Sequence, residues 1–257
     1  MSRATRSSHV GMDMYAVSVR SVAAVTPHLA RITLWSPALT GFRDDGPDQR
    51  VKLFLPRPGQ DEPVLPPAAD WYGAWKEMPA DVRPVMRTYT VRAARPELGE
   101  ADLDIVLHGD TGPGSRWAAR ARVGDRVALY GAYGEYEAPP GAVQLIAGDQ
   151  TALPAIAAIA ERLVSPARVV VEVPSAAEQL PLPVPVSWVD AAPGRPGKAL
   201  FDAVLALPAS ERPDYAWVCA DNRTAARLRR HLVTDRGLHP EQVMWMGYWR
   251  TDGPIDD

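Results

Sequence analysis

Up to about residue 138, apolar positions fall in short runs or alternate with polar ones. Met14–Arg20, Ala30–Trp35, Arg50–Leu55, Met86–Arg92, Leu103–His108 and Arg126–Tyr130 each read as a strand bounded by turn residues. One helix over about 115–122 interrupts them. Six short strands in a row suggest a small antiparallel β-barrel. Past the break Glu137-Ala138-Pro139-Pro140-Gly141 the period changes. Strands over 143–147, 168–173, 186–190, 215–220 and 242–248 then alternate with helices near 152–163, 198–207 and 223–235. Such β-α alternation predicts a mostly parallel, doubly wound α/β sheet. Two domains are therefore expected, 1–138 and 139–257, with no internal repeat.

Composition narrows the class without changing this outline. With 257 residues, 46% hydrophobic and 23% charged, the chain can bury a sizeable core. A net charge of -3 gives no general attraction to nucleic acid or to anionic membranes. The single cysteine, Cys219, leaves no internal disulfide and reads as a small buried residue. The first eleven residues are polar, and no apolar run approaches the roughly 20 residues of a membrane helix. A soluble, cytoplasmic monomer that neither enters membranes nor binds nucleic acid is expected. The five histidines lack metal-ligand spacing, so no metal site is assigned.

Two segments carry chemistry. In Arg87-Thr88-Tyr89-Thr90-Val91-Arg92, strand alternation sends Arg87 and Tyr89 to one face and Thr88 and Thr90 to the other. Taken alone, it could be an edge strand with solvated arginines. The second segment, His108-Gly109-Asp110-Thr111-Gly112-Pro113-Gly114-Ser115-Arg116-Trp117, runs from a strand through a glycine turn into a helix. Gly112 and Gly114 allow close backbone approach, and Ser115 can cap the helix. A cation for phosphate, a phenol beside a ring and free amides at a helix start are what a flavin nucleotide needs. Pro56–Pro84 is a long loop with Trp71, Tyr72 and Trp75, either a lid or a segment tucked onto the core. Arg223, Arg227 and Arg230 share a helical face, which is either a 2′-phosphate site or a solvated stripe.

A barrel followed by an α/β nucleotide domain is the architecture of the ferredoxin–NADP reductase superfamily. Within it the two segments above, with Gly148-Asp149-Gln150-Thr151-Ala152-Leu153-Pro154-Ala155 and Gly247-Tyr248-Trp249-Arg250, resemble the siderophore-interacting proteins. The motifs keep the family's order over nearly the whole chain. The resemblance implies bound FAD and reduction of ferric siderophores, with NAD(P)H or ferredoxin as electron source. It places Arg87 at the FAD pyrophosphate, Tyr89 against the flavin, Thr90 and Val91 at the isoalloxazine, and His108 near the flavin. Gly112, Gly114, Ser115 and Trp117 belong to the same cofactor-binding set. It assigns Asp149, Thr151 and Ala152 to FAD contact across the domain interface. Trp249 and Tyr248 either shield the flavin face or pack in the core at the end of the last strand. No acid-base catalytic residue is required for outer-sphere electron transfer.

The donor and acceptor sites depart from the family pattern. Ala220-Asp221 stands where relatives commonly have Gly-Glu, so a β-carbon could narrow the nucleotide crevice. Lys52 matches a basic position of the family, and Tyr133 and Arg250 join it as candidate substrate contacts. Relatives often place arginine where Tyr133 stands, and Met244 replaces a residue that is basic in some. Two other readings stay open: a flavin electron-transfer component for another acceptor, and a non-enzymatic siderophore- or nucleotide-binding module.

Overall fold

The computed structural model describes residues 13–67, 70–109, 112–250 and 253. The polar N-terminal stretch and Asp110 and Thr111 of the glycine turn lie outside these residues. The chain forms two compact units, one holding 30–134 with the segment up to Ala23, the other holding 24–29 and 135 onward.

The first unit is a closed barrel of six strands. These are β1 (Met14–Thr26), β2 (Leu29–Trp35), β3 (Arg50–Leu55), β4 (Val85–Arg95), β5 (Glu100–Val106) and β6 (Arg126–Tyr133), in the order β1-β2-β5-β4-β3-β6. Closure leaves no sheet edge exposed. Inward positions such as Val17, Ile32, Leu53, Leu103 and Leu129 form its core. Outside, Arg31 grips Asp104 at 2.7 and 2.8 Å, and Arg95 grips Asp102 through two bonds of 2.8 Å. These bidentate pairs, with Glu100 accepting from Arg95 Nε at 2.8 Å, explain how β5 carries three acidic residues yet stays buried.

The proline-rich segment is more than a loop. It contains helix α1 (Trp71–Glu77), which Asp70 caps by accepting from the Gly73 amide at 3.3 Å. Trp75 is buried, donates to the Pro84 carbonyl at 3.0 Å and packs with Phe54, Met86 and Tyr130. Of the two readings, the segment tucked onto the core is the one observed. Helix α2 (Pro113–Ala118) completes the unit.

The second unit is a five-stranded sheet of β7 (Gln144–Asp149), β8 (Ala167–Val173), β9 (Val186–Asp190), β10 (Tyr215–Asp221) and β11 (Val243–Trp249). Its order is β11-β10-β7-β8-β9, and every neighbouring pair is parallel. Helix α3 (Leu153–Arg162) covers one face, where Gly148 lies against Ala152 and Ile156. Helices α4 (Lys198–Leu205) and α5 (Asn222–Thr234) cover the other, over Leu145, Ala147, Val218 and Ala220. Buried on both sides, these strands read as continuous apolar runs. Pro154 sits in the first turn of α3, where its missing amide costs nothing. Among the described residues no helix is long and apolar enough to cross a membrane, and no cluster of metal-ligating side chains occurs.

Candidate functional site

In the barrel unit, cross-strand pairing fixes which side chains share a face. Thr90 lies opposite Arg50 and Thr88 opposite Lys52 on β3, while Arg50 lies opposite Tyr133 on β6. Lys52 Nζ donates to Thr88 Oγ1 at 2.6 Å, and the Arg50 guanidinium stacks 4.9 Å from the centroid of the Tyr133 ring. Lys52, Thr88, Arg50, Thr90 and Tyr133 thus share one face of the barrel wall, on which Arg50 and Thr90 are buried and the other three half-buried. Tyr89 turns the other way and packs against the barrel core.

Gly114 explains how α2 meets this strand. A β-carbon there would lie 2.0 Å from the Tyr89 hydroxyl and 3.7 Å from Arg87 Cγ, so only glycine lets the helix rest on both side chains. Arg87 also donates to the Met86 carbonyl at 2.7 Å. Ser115 does not cap the helix. Gly112 occupies the cap position, and the buried Ser115 hydroxyl receives the His108 amide at 2.9 Å and donates to the Gly109 carbonyl at 3.0 Å. It locks the turn instead. His108 is exposed beside Gly112, and Trp117 packs against the barrel core. The Val91 amide is committed to the Gln49 carbonyl at 2.9 Å.

Thr90 is the informative residue. Its side chain is buried, yet among the described residues nothing hydrogen-bonds its hydroxyl. A buried polar atom left unpaired costs about 1–3 kcal/mol, so a partner beyond the described residues is implied. Together with the glycine turn that Gly114 packs closely onto Tyr89 and Arg87, this fits a flavin nucleotide.

In the α/β unit, Asp149 ends β7 and is buried. Its Oδ1 accepts from the Thr151 amide at 2.9 Å and from the Thr151 hydroxyl at 2.5 Å. Its Oδ2 accepts from the Asp221 amide at 3.0 Å and from the Trp249 indole at 2.8 Å. Burial pushes this carboxyl above the ordinary aspartate range against those bonds, and nearby Asp221 adds to the rise. Ala152 is fully buried beneath α3, and Tyr248 meets Trp217 edge-on.

Ala220 falls otherwise than the sequence suggests. The Ala220 side chain points into the core under α4 and α5, so its β-carbon does not narrow the crevice. Arg223, Arg227 and Arg230 are exposed, with Arg227 stacked 4.0 Å over Phe201. Met244 is buried, and Arg250 is exposed and bonds the Gly253 carbonyl at 3.2 Å. A cavity of 440 Å³ lies at the opposite, amino ends of β7, β10 and β11, where Tyr215 and Gln242 line it.

Sequence reasoning did not single out Arg50. The signal was present: it opens β3 two positions before Lys52, hence on the same face.

Comparison with known proteins identifies the family. A family model described as the siderophore-interacting FAD-binding domain matches residues 18–136, and one described as siderophore-interacting protein matches residues 142–252. A siderophore utilization protein from T. fusca superposes with a TM-score of 0.81 at 29% identity, over 94% of each chain. The siderophore-interacting protein SipS from Aeromonas hydrophila gives 0.78 at 33% identity, over 93% of this chain and 92% of that one. Ferric vibriobactin reductase ViuB of Vibrio cholerae is 29% identical over 235 residues, 88% of this chain and 85% of its own. The chain belongs to the siderophore-interacting protein family and is a flavin oxidoreductase with an FAD-binding barrel.

Proposed function

We propose that the protein reduces ferric siderophores, releasing iron because Fe(II) is held less tightly than Fe(III) by hard oxygen ligands. The observation that carries this reading is the orphaned Thr90 hydroxyl on the same barrel face as Lys52 and Arg50. Bound FAD supplies the exchange between two-electron and one-electron chemistry. Arg87 neutralises the pyrophosphate, for which its planar fork suits better than lysine. Tyr89 packs beside the ring system, held in place by the close approach of Gly114. Thr90 supplies a hydrogen bond to the isoalloxazine. Lys52, half-buried on that face, gives it positive charge, which draws an anionic iron complex toward the flavin edge. Tyr133, at a position where relatives often carry arginine, stacks instead on the buried Arg50 guanidinium. The resemblance leaves two donor classes, NAD(P)H and a reduced ferredoxin.

Steady-state reduction of a catecholate and a hydroxamate iron complex, with Fe(II) trapped by a coloured chelator, tests the reading. Lys52→Met should lower kcat/KM several-fold and flatten its dependence on ionic strength while FAD stays bound. Equal salt dependence in both proteins would remove Lys52 from substrate capture. A flavin-loaded protein that ignores every iron complex but reduces another acceptor would favour the electron-transfer reading.

A further inference from the structure

Ligands of open α/β sheets bind beyond the carboxyl ends of the strands, and dinucleotides place their pyrophosphate on free amides at helix starts. Here α4, α5 and the short turn leading into α3 each begin on a carboxylate that the chain itself supplies. At the β7 end, Asp149 caps the short turn leading into α3, accepting from the Thr151 amide. At the β8 end, Glu172 accepts from the Gly197 amide and from the Leu200 amide, both at 2.8 Å, closing the start of α4. At the β10 end, Asp221 accepts from the Arg223 amide at 3.1 Å and the Thr224 amide at 3.2 Å, closing the start of α5. The three strands are neighbours in the order β10-β7-β8, and all three carboxylates are buried.

The space between the helix starts is also filled. Gly197 has φ +75° and precedes α4. A β-carbon on it would lie 1.9 Å from Thr224 Oγ1 and 2.6 Å from Asp221 Oδ2, so the backbone entering α4 presses directly on the first turn of α5.

We infer that Glu172 and Asp221 determine donor specificity by rejecting pyridine nucleotides from the carboxyl end of this sheet. At the starts of α4 and α5 a nucleotide pyrophosphate would meet amides already bonded and carboxylates of its own sign. The inference rests on the flavin reductase reading, since it concerns how electrons reach that flavin. They come from a carrier that need not enter this crevice.

Glu172→Gln and Asp221→Asn keep an acceptor oxygen for each helix start while removing the charge. Binding of NADPH and of NADH to the oxidised FAD-loaded protein is measured by titration calorimetry and by anaerobic bleaching of the flavin. The wild type should show no saturable binding below about 1 mM, and the double variant should bind at least roughly tenfold more tightly. Micromolar saturable binding by the wild type overturns the inference. A folded double variant that binds as weakly as the wild type overturns the role of the two carboxylates. Iron reduction by chemically reduced protein is measured separately, so failure of the reductase reading would show there and not in the titration.

Discussion

Trp249 donates its indole N–H to Asp149 at 2.8 Å, tying the last residue of β11 to the last residue of β7 across the intervening β10. The Asp221 amide at the end of β10 donates to the same oxygen. One buried carboxylate thus pins three strand ends. Trp249→Phe removes one charge-assisted bond and should cost about 1.5–3 kcal/mol, read from urea denaturation. The loss should appear equally in FAD-free protein. A loss confined to the FAD-loaded protein would place Trp249 on the cofactor instead.

Thr90→Val replaces the orphaned hydroxyl with a methyl of similar shape. Without FAD the variant should be as stable as the wild type or slightly more so, because an unpaired buried polar atom disappears. FAD affinity should fall roughly three- to tenfold, the worth of one neutral hydrogen bond of about 0.5–1.5 kcal/mol. Fluorescence titration of the FAD-free protein measures it, and unchanged affinity would remove Thr90 from the flavin site.

Gly114→Ala sets a β-carbon 2.0 Å from the Tyr89 hydroxyl and should destabilise the barrel by about 1–3 kcal/mol while weakening FAD binding. Tyr89→Phe removes that hydroxyl, and the next Tyr89 atom, Cζ, is 3.2 Å away. The double variant should therefore be more stable than the sum of the single losses, a coupling that a double-mutant cycle reads directly. Simple additivity would mean that the clash lies elsewhere.

Glu178 supplies the acid sensitivity of the α/β unit. Burial pushes its pKa up, but the Thr26 hydroxyl and His28, whose ring lies 2.6 Å away, outweigh burial and hold it below its ordinary value of 4.5. A depressed folded-state pKa means stability present above the unfolded value and lost as pH falls through the folded one. Wild type should exceed Glu178→Gln in urea midpoint at neutral pH, and the gap should narrow as pH drops below about 4.5. A gap that does not change with pH would contradict this.

Much of the fold was legible because its periods are clean. Strands β3 and β9 have the bounds that alternation gives, and the parallel sheet follows from β-α alternation. Helix α1 was not legible, because its flanking prolines and Gly73 speak for a loop while burial of Trp75 stabilises a helix. Ser115 misleads for a related reason: serine near a helix start suggests a cap, but Gly112 and Pro113 set the start three residues earlier. Within the site, alternation correctly separates Arg87 and Tyr89 from Thr88 and Thr90. It cannot reveal that Asp149 is spent on Trp249 and Asp221, because those partners meet only when distant strands close into one sheet. Nor can it show which way Ala220 points.

The most direct measurement is a single turnover. FAD-loaded protein is reduced with dithionite, freed of excess reductant, and mixed anaerobically with a ferric siderophore while flavin absorbance and trapped Fe(II) are followed. Return of the oxidised flavin spectrum with about two Fe(II) per flavin is the expected result, since the flavin carries two electrons and each iron takes one. Reduced flavin that persists in the presence of the iron complex, or a purified protein that takes up no FAD, would contradict it.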